Sequence, residues 1–383
     1  MDKSKSIAII AHSPRTVRIA LGDTSVEAGG AELQLAWTAQ LLRDRDWHVS
    51  FVMPTSTEEP PAAEGAGFQI VPAHHPGCGR GALGYLSCTV RDYCRALRQA
   101  NASVYLHRGA TGMAGWTALH CRLKGSHPVL SAASNLDVAP DLHGQSGEAC
   151  PSRLNQTLYR YFLSRCDRVF VQSPEQAQLY RERTGKDAVE MPNIAEIPAT
   201  VPIKSPTPLI AWAGAIRKCK RPLWVIEIAR LLPGVRFAIA GGPNPGEEPL
   251  WEELQKAAAA TPNIHLLGWL KVAEVENLIG RAWACLCTSQ MEGFPNVYLM
   301  AWGRETPLIT SFPAGGLAER SGASFIGDSP AVLAEAARRL VEDGNLRRRM
   351  GRAGRQYALS NHSRNAVGDR YDASLSALLG ANA

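Results

Sequence analysis

The chain alternates short apolar runs with longer amphipathic segments, and it does so in two successive blocks. In the first block, Ile7–Ala11, Val49–Met53, Gln69–Val71, Val104–His107, Val129–Ser131 and Val169–Val171 read as short buried strands. Between them, Ala31–Arg45, Gly84–Ala100, Gly112–Leu123, Pro151–Cys166 and Pro174–Thr184 read as helices. The pattern lapses after Pro192 into a stretch punctuated by Pro198, Pro202, Pro206 and Pro208, which reads as a linker over about 192–208. It then restarts. Leu209–Ala213, Val235–Ala240, Ile264–Leu267, Ala284–Cys287, Pro307–Thr310 and Ser324–Ile326 look like strands. Arg221–Leu232, Glu247–Ala260, Val272–Arg281, Val297–Arg304, Pro330–Asp343 and Asn345–Leu359 look like helices. Strands that alternate with helices build parallel sheets covered on both faces. Two blocks therefore predict an α/β protein of two doubly wound domains, and 383 residues is the right length for that.

The expected division is 1–200, 201–360 and a closing segment at 361–383. In that last segment Val367, Tyr371, Leu375, Leu378 and Leu379 recur at helical spacing, so a helix is expected to pack back toward the first domain. Ligands of doubly wound sheets bind beyond the carboxyl ends of the strands. Two facing domains would place a site in the cleft between them.

Composition narrows the class. Hydrophobic residues make up 45% and charged residues 20%, which argues against a disordered or collagenous chain. Nine cysteines, an odd number with no Cys-x-x-Cys pair, favour reduced thiols over a disulfide framework. Ile7–Ala11 is too short for a signal-peptide core, and no run approaches the ~18 apolar residues of a membrane span. A cytoplasmic location is expected, with contact at the inner face of the plasma membrane left open.

Three segments combine glycine with charge where strands should end. Gly29-Gly30-Ala31-Glu32 precedes a helix; it suits close approach of a phosphate, although an ordinary loop explains it equally well. Gly214 ends a strand and is followed by Arg217, Lys218, Lys220 and Arg221 before Pro222 opens a helix. Arginine offers phosphate a planar fork and lysine a compact charge. The most specific segment is Glu292-Gly293-Phe294-Pro295-Asn296-Val297, a Gly-Pro loop between a strand and a helix. Its amides would form an anion cradle with a carboxylate beside it, and accepting hydrogen bonds from sugar hydroxyls is a natural task for that carboxylate.

Together these segments, with Asn263–Gly268 and Asn361-His362-Ser363, resemble the family-four glycosyltransferases of the GT-B fold, which are retaining enzymes of bacterial glycan assembly. The resemblance implies that Gly29 and Gly30 lie near a donor diphosphate. Arg217 and Lys220 would bind that diphosphate and stabilise the leaving nucleotide, with no metal and no cofactor. Glu292 would hold sugar hydroxyls, with Gly214, Gly293, Phe294, Pro295, Asn296 and Val297 against the donor and Leu270 bordering the base. The expected partners are a UDP- or GDP-sugar and a glycan, lipid-linked or small-molecule acceptor. The leaving phosphate would help deprotonate the acceptor, so no pair of catalytic carboxylates is called for.

Two departures stand out. Met300 occupies the donor-side position of the family's second glutamate, and Glu305 the place of a usual glycine. A degenerate, non-catalytic homologue acting as a partner subunit is therefore an alternative, as is a GT-B-fold sugar-nucleotide epimerase. On the acceptor side the candidates are His107, Arg108, Asn135 and Asp137. His74, His75 and Cys78 lack a second ligand pair at metal spacing.

The formal net charge is +6, and residues 338–370 alone carry nine arginines against three acids. The excess is thus local, which argues against a nucleic-acid partner. It fits a basic helical surface that is solvated or meets anionic lipid.

Overall fold

The computed structural model describes residues 5–23, 26, 29–54, 67–73, 89–139 and 153–380. The histidine pair at 74–75, Cys78 and the expected helix starts at 84–88 and 151–152 lie outside the described residues. The chain divides into two compact units. Unit 1 is Met1–Pro192 with Val367–Ala383, and unit 2 is Asn193–Ala366.

Unit 1 carries seven strands: β1 (Ser6–Ile10), β2 (His48–Pro54), β3 (Phe68–Ala73), β4 (Val104–Arg108), β5 (His127–Ser131), β6 (Arg168–Val171) and β7 (Val189–Glu190). They form one sheet in the order β3-β2-β1-β4-β5-β6-β7, parallel throughout. Unit 2 carries β8 (Leu209–Ala213), β9 (Arg236–Ala240), β10 (Ile264–Gly268), β11 (Ala284–Cys287), β12 (Leu308–Thr310) and β13 (Ser324–Ile326). Their order is β10-β9-β8-β11-β12-β13, again parallel. Sheet order therefore reverses direction between β1 and β4, and again between β8 and β11. Such reversals open a crevice at the strands' carboxyl ends.

The central strands are buried on both faces, which is why they are unbroken apolar runs rather than alternating ones. Every residue of β1 and of β11 is buried. The core of unit 2 packs Phe237, Ile239, Leu254, Val225, Ile228 and Leu333 on one face, and Trp302, Tyr298, Leu299 and Leu308 on the other.

Among the described residues, four short α-helices and strands lie outside the expected segments. Helix Pro14–Ala20 starts at Ser13, whose hydroxyl accepts from the Arg15 amide. The others are the two-residue edge strand β7 and the single-turn helices Asn135–Val138 and Leu317–Arg320. All are too short for periodicity to reveal.

Much of the basic stretch serves packing. Arg339 stacks on Phe325 at 4.7 Å and Arg347 on Trp283 at 3.8 Å. Arg355 donates to the carbonyls of Gly303 and Pro198, and Arg364 pairs with Glu196. These guanidinium groups hold helix Gly344–His362 and its neighbours in place. Among the described residues, no helix is long and apolar enough to cross a membrane.

Candidate functional site: the loops after β8 and β11

The loop leaving β8 is forced close to the sheet. A Cβ on Gly241, the residue after β9, would sit 1.9 Å from the Gly214 carbonyl oxygen, and Gly241 has φ +143°. Glycine alone meets both conditions. The Gly214 amide donates to Ala240 O at 3.0 Å and the Ile216 amide to Gly242 O at 2.8 Å. The chain then passes through Arg217 in extended conformation into a 3₁₀ turn, Lys218–Lys220. Arg217 is half-buried at the head of that turn.

Lys220 folds back over Gly214. A Cβ there would lie 3.3 Å from Lys220 Cδ and 3.5 Å from its Nζ. Its Nζ donates to Glu292 Oε1 at 2.7 Å, and the two side chains are 23% and 15% exposed. The same oxygen accepts from Ser289 Oγ at 2.6 Å. Burial by itself would lower the Lys220 ammonium pKa. Attraction to Glu292 and the bond to it outweigh that, so the pKa lies above its ordinary value. The Lys220 ammonium is therefore charged at neutral pH.

The two loops are stitched together beneath this pair. Thr288 Oγ1 donates to Lys220 O at 2.6 Å and accepts from Trp212 Nε1 at 3.0 Å. The Gln290 amide donates to Cys219 O at 2.7 Å. Arg221 does the rest of the fastening. It adopts φ +46°, and its guanidinium reaches Thr288 O at 2.9 Å, Ser289 O at 3.1 Å and Ser311 Oγ at 3.0 Å, while stacking on Trp224 at 3.8 Å. Of the four cations in the run, Arg221 is a structural fastener and Lys220 faces the carboxylate.

Past Glu292 the loop runs through Gly293, Phe294 and the buried Pro295 into helix Asn296–Gly303. The N-cap residue of that helix is Pro295, whose side chain makes no capping bond. Asn296 Oδ1 instead accepts from Asn193 Nδ2 at 2.8 Å. Met300 is half-buried and packs against the apolar core of unit 2, as do Phe294, Val297 and Phe312. The thioether thus has a packing partner set of its own where the related pattern has a carboxylate. Glu305 adopts φ +53°, the left-handed conformation that explains the glycine usual at that position. At the end of β10, Leu270 is half-buried beside Trp269, which is 50% exposed and lies against Gly242. Asn263, part of the related pattern, donates to the carbonyls of Ala229, Leu232 and Val235, so its role is to close a turn.

Arg217, Gly214, Lys220, Glu292 and the Gly293–Asn296 loop thus share one end of the unit 2 sheet, at the switch between β8 and β11. The remaining candidates belong to unit 1. Gly29 precedes helix Gly30–Arg43, and its amide donates to Glu32 Oε2 at 2.9 Å in a capping arrangement. His107 and Arg108 end β4 but do not reach the surface. His107 is fully buried, with Nε2 2.8 Å from Thr117 Oγ1, and Arg108 donates to Ser131 Oγ at 2.8 Å. Helices cover the sheet even at its last strand positions, so a strand end is not necessarily a surface. Burial, reinforced by repulsion from His12, drops the His107 pKa well below its usual value. Asp137 is buried and accepts from the amides of Ala110, Ala133 and Ser134 at 2.7–2.9 Å. Burial raises its pKa, and those amides and Arg108 offset part of the rise. Asp137 therefore ties the β4 and β5 loops together. Asn135 donates to Glu175 at 3.0 Å. Thr288 and Trp269 carry no signal of their own in the sequence, and Thr288 lies just before the recognisable segment that runs from Ser289 through the Glu292 loop.

Two parallel α/β units of this strand order, with the cation and carboxylate loops at one switch point, define a glycosyltransferase of the GT-B fold. The comparisons agree. Residues 207–343 match the family model described as glycosyl transferases group 1, and residues 29–198 match the glycosyl transferase 4-like domain. The chain belongs to this family and is a glycosyltransferase. By sequence alone it matches no curated protein. Solved structures resemble it in fold. Sucrose-phosphate synthase from Thermosynechococcus elongatus superposes with a TM-score of 0.76 at 16% identity, covering 98% of this chain and 100% of that one. HepE of Anabaena, solved in complex with UDP and glucose, gives 0.73 at 15% identity, covering 97% and 100%. A variant of TarM from S. aureus, in complex with fondaparinux, α-GlcNAc-glycerol and UDP, gives 0.72 at 10% identity, covering 96% and 99%.

Proposed function

We propose that the chain transfers a sugar from a nucleoside diphosphate donor, UDP- or GDP-linked, to a hydroxyl of a glycan, lipid-linked or small-molecule acceptor, with retention at the anomeric carbon. The observation that carries this reading is the Lys220–Glu292 pair at the β8/β11 switch: one cation and one carboxylate, 2.7 Å apart, beside a helix that starts after Pro295. A diphosphate needs the cation, and a sugar ring needs the carboxylate.

In this mechanism Lys220 and Arg217 neutralise the charge that builds on the diphosphate as the glycosidic bond breaks. Glu292 accepts hydrogen bonds from donor sugar hydroxyls, and the amides of Gly293–Asn296 face sugar and phosphate. As the bond from the anomeric carbon to the diphosphate breaks, the departing phosphate oxygen takes the acceptor hydroxyl's proton, and the acceptor oxygen bonds to the anomeric carbon from the face the phosphate leaves, which gives retention. Positive charge comes from the chain itself, so no metal is invoked. An acceptor role for unit 1 rests on the family resemblance. The proposed location is the cytoplasm, where nucleotide sugars are made. Likenesses solved with bound UDP, HepE and TarM among them, are in line with a UDP donor.

Calorimetric titration of UDP and GDP into the full chain tests this. Binding of at least one is expected, weakened in Arg217→Ala and Glu292→Ala. Absence of binding to any nucleoside diphosphate or nucleotide sugar overturns it.

A further inference from the structure

The segment by which the chain enters unit 2 and the segment by which it leaves meet on the loop that follows Glu292. Asn193, the first residue of unit 2, is 3% exposed and donates from Nδ2 to Asn296 Oδ1 at 2.8 Å. His362, just ahead of the unit's end at Ala366, is 2% exposed, and its Nδ1 lies 2.8 Å from Asn193 O. A carbonyl only accepts, so that nitrogen carries the proton. In return the Ala195 amide donates to His362 O at 2.7 Å. The imidazole packs at 5.8 Å from Phe294 and 5.7 Å from Tyr357, centroid to centroid.

His362 cannot drift from this position, because its helix is seated by close contact. A Cβ on Gly351 would lie 2.5 Å from Glu305 O, and one on Gly354 would lie 2.8 Å from the Trp302 ring. Helix Gly344–His362 is therefore pressed directly onto helix Asn296–Gly303 and the turn after it. Phe294 meets His362 and Asn296 meets Asn193, so both neighbours of Pro295 are held by these two segments.

We propose that His362 is a positioning residue for the donor loop. Its Nδ1–H holds Asn193, Asn193 holds Asn296, and its ring backs Phe294, so the Glu292–Asn296 loop is set by the two segments that join unit 2 to the rest of the chain. The inference rests on reading that loop as the diphosphate and sugar cradle. It adds a residue that touches neither.

The test uses UDP and GDP titrations and steady-state donor turnover on the full chain. His362→Phe keeps a ring against Phe294 and Tyr357 but loses the donor. His362→Asn keeps a donor near the Nδ1 position. His362→Phe is expected to weaken nucleotide binding by about 3- to 15-fold, the scale of one hydrogen bond, and to raise KM more than it lowers kcat. His362→Asn is expected to restore affinity to within about threefold. Because the effect passes through Asn193, Asn193→Ala combined with His362→Phe should be no worse than the poorer single variant. Equal losses in both His362 variants, additive losses in the double variant, or unchanged affinity in His362→Phe each overturn the inference. If His362→Phe fails to fold, Asn193→Ala and His362→Asn decide it by the same comparison. A native chain that binds no nucleotide defeats the functional reading, and this inference with it. A native chain that binds while its variants bind equally defeats this inference alone.

Discussion

Lys220→Ala is the perturbation with the clearest arithmetic. In the native chain Nζ sits 2.7 Å from Glu292 Oε1, and both side chains are largely shielded from water. The ammonium is the group proposed to meet the diphosphate. Loss of one charged hydrogen-bonding partner costs about 1.5–3 kcal/mol. That is roughly a 10- to 150-fold rise in Kd for UDP or GDP. Lys220→Arg should recover only part of it, because the stem lies against Gly214 and a planar guanidinium does not place its charge where the ammonium does. The assay is isothermal calorimetry at fixed ionic strength, with thermal unfolding to confirm that unit 2 is intact. Leaving Glu292 without its cation also costs stability, so the melting temperature should fall. Affinity within twofold of the native chain, in a folded Lys220→Ala protein, refutes the assignment of the diphosphate to this residue.

Other consequences follow from the same structure. Met300→Glu returns a carboxylate to the helix that follows the donor loop. It should strengthen nucleotide binding, read by calorimetry, and lower the melting temperature, because a carboxylate replaces a thioether packed against the apolar core. Glu305→Gly relieves a left-handed residue and should stabilise unit 2 by about 0.5–1 kcal/mol in chemical unfolding. Lys204 donates to Gly280 O, Arg304 O and Thr306 Oγ1, and burial lowers its pKa to about 7. A folded pKa below the unfolded value of 10.5 means the unfolded chain binds the extra proton, so stability gains a rising component from about pH 7 toward 10.5. Unfolding free energies measured across that range should lose that component in Lys204→Met.

The strand and helix pattern of both units was legible because fully buried parallel strands are apolar throughout, and Ala284–Cys287 or Leu209–Ala213 can be nothing else. The Glu292 loop was legible because its glycine, proline and carboxylate are consecutive in the chain. What could not be read was tertiary. Nothing local separates Lys220 from Arg221, yet a left-handed turn at Arg221 sends one cation to the carboxylate and the other back to three oxygens beneath it. The resemblance offers Asp137 as an acceptor-side residue, but nothing local shows the three backbone amides it accepts from. The closing helix spans a boundary that composition cannot mark. Its residues from Val367 onward belong to unit 1, while Arg364 is paired with Glu196 in unit 2.

Donor turnover tests the central claim most directly. The purified native chain is incubated with a panel of UDP- and GDP-sugars, and release of the free nucleoside diphosphate is followed over time. Release from at least one donor is predicted, falling by about 10- to 150-fold in Glu292→Ala. No release from any donor by a folded native chain, or equal release by Glu292→Ala, contradicts it.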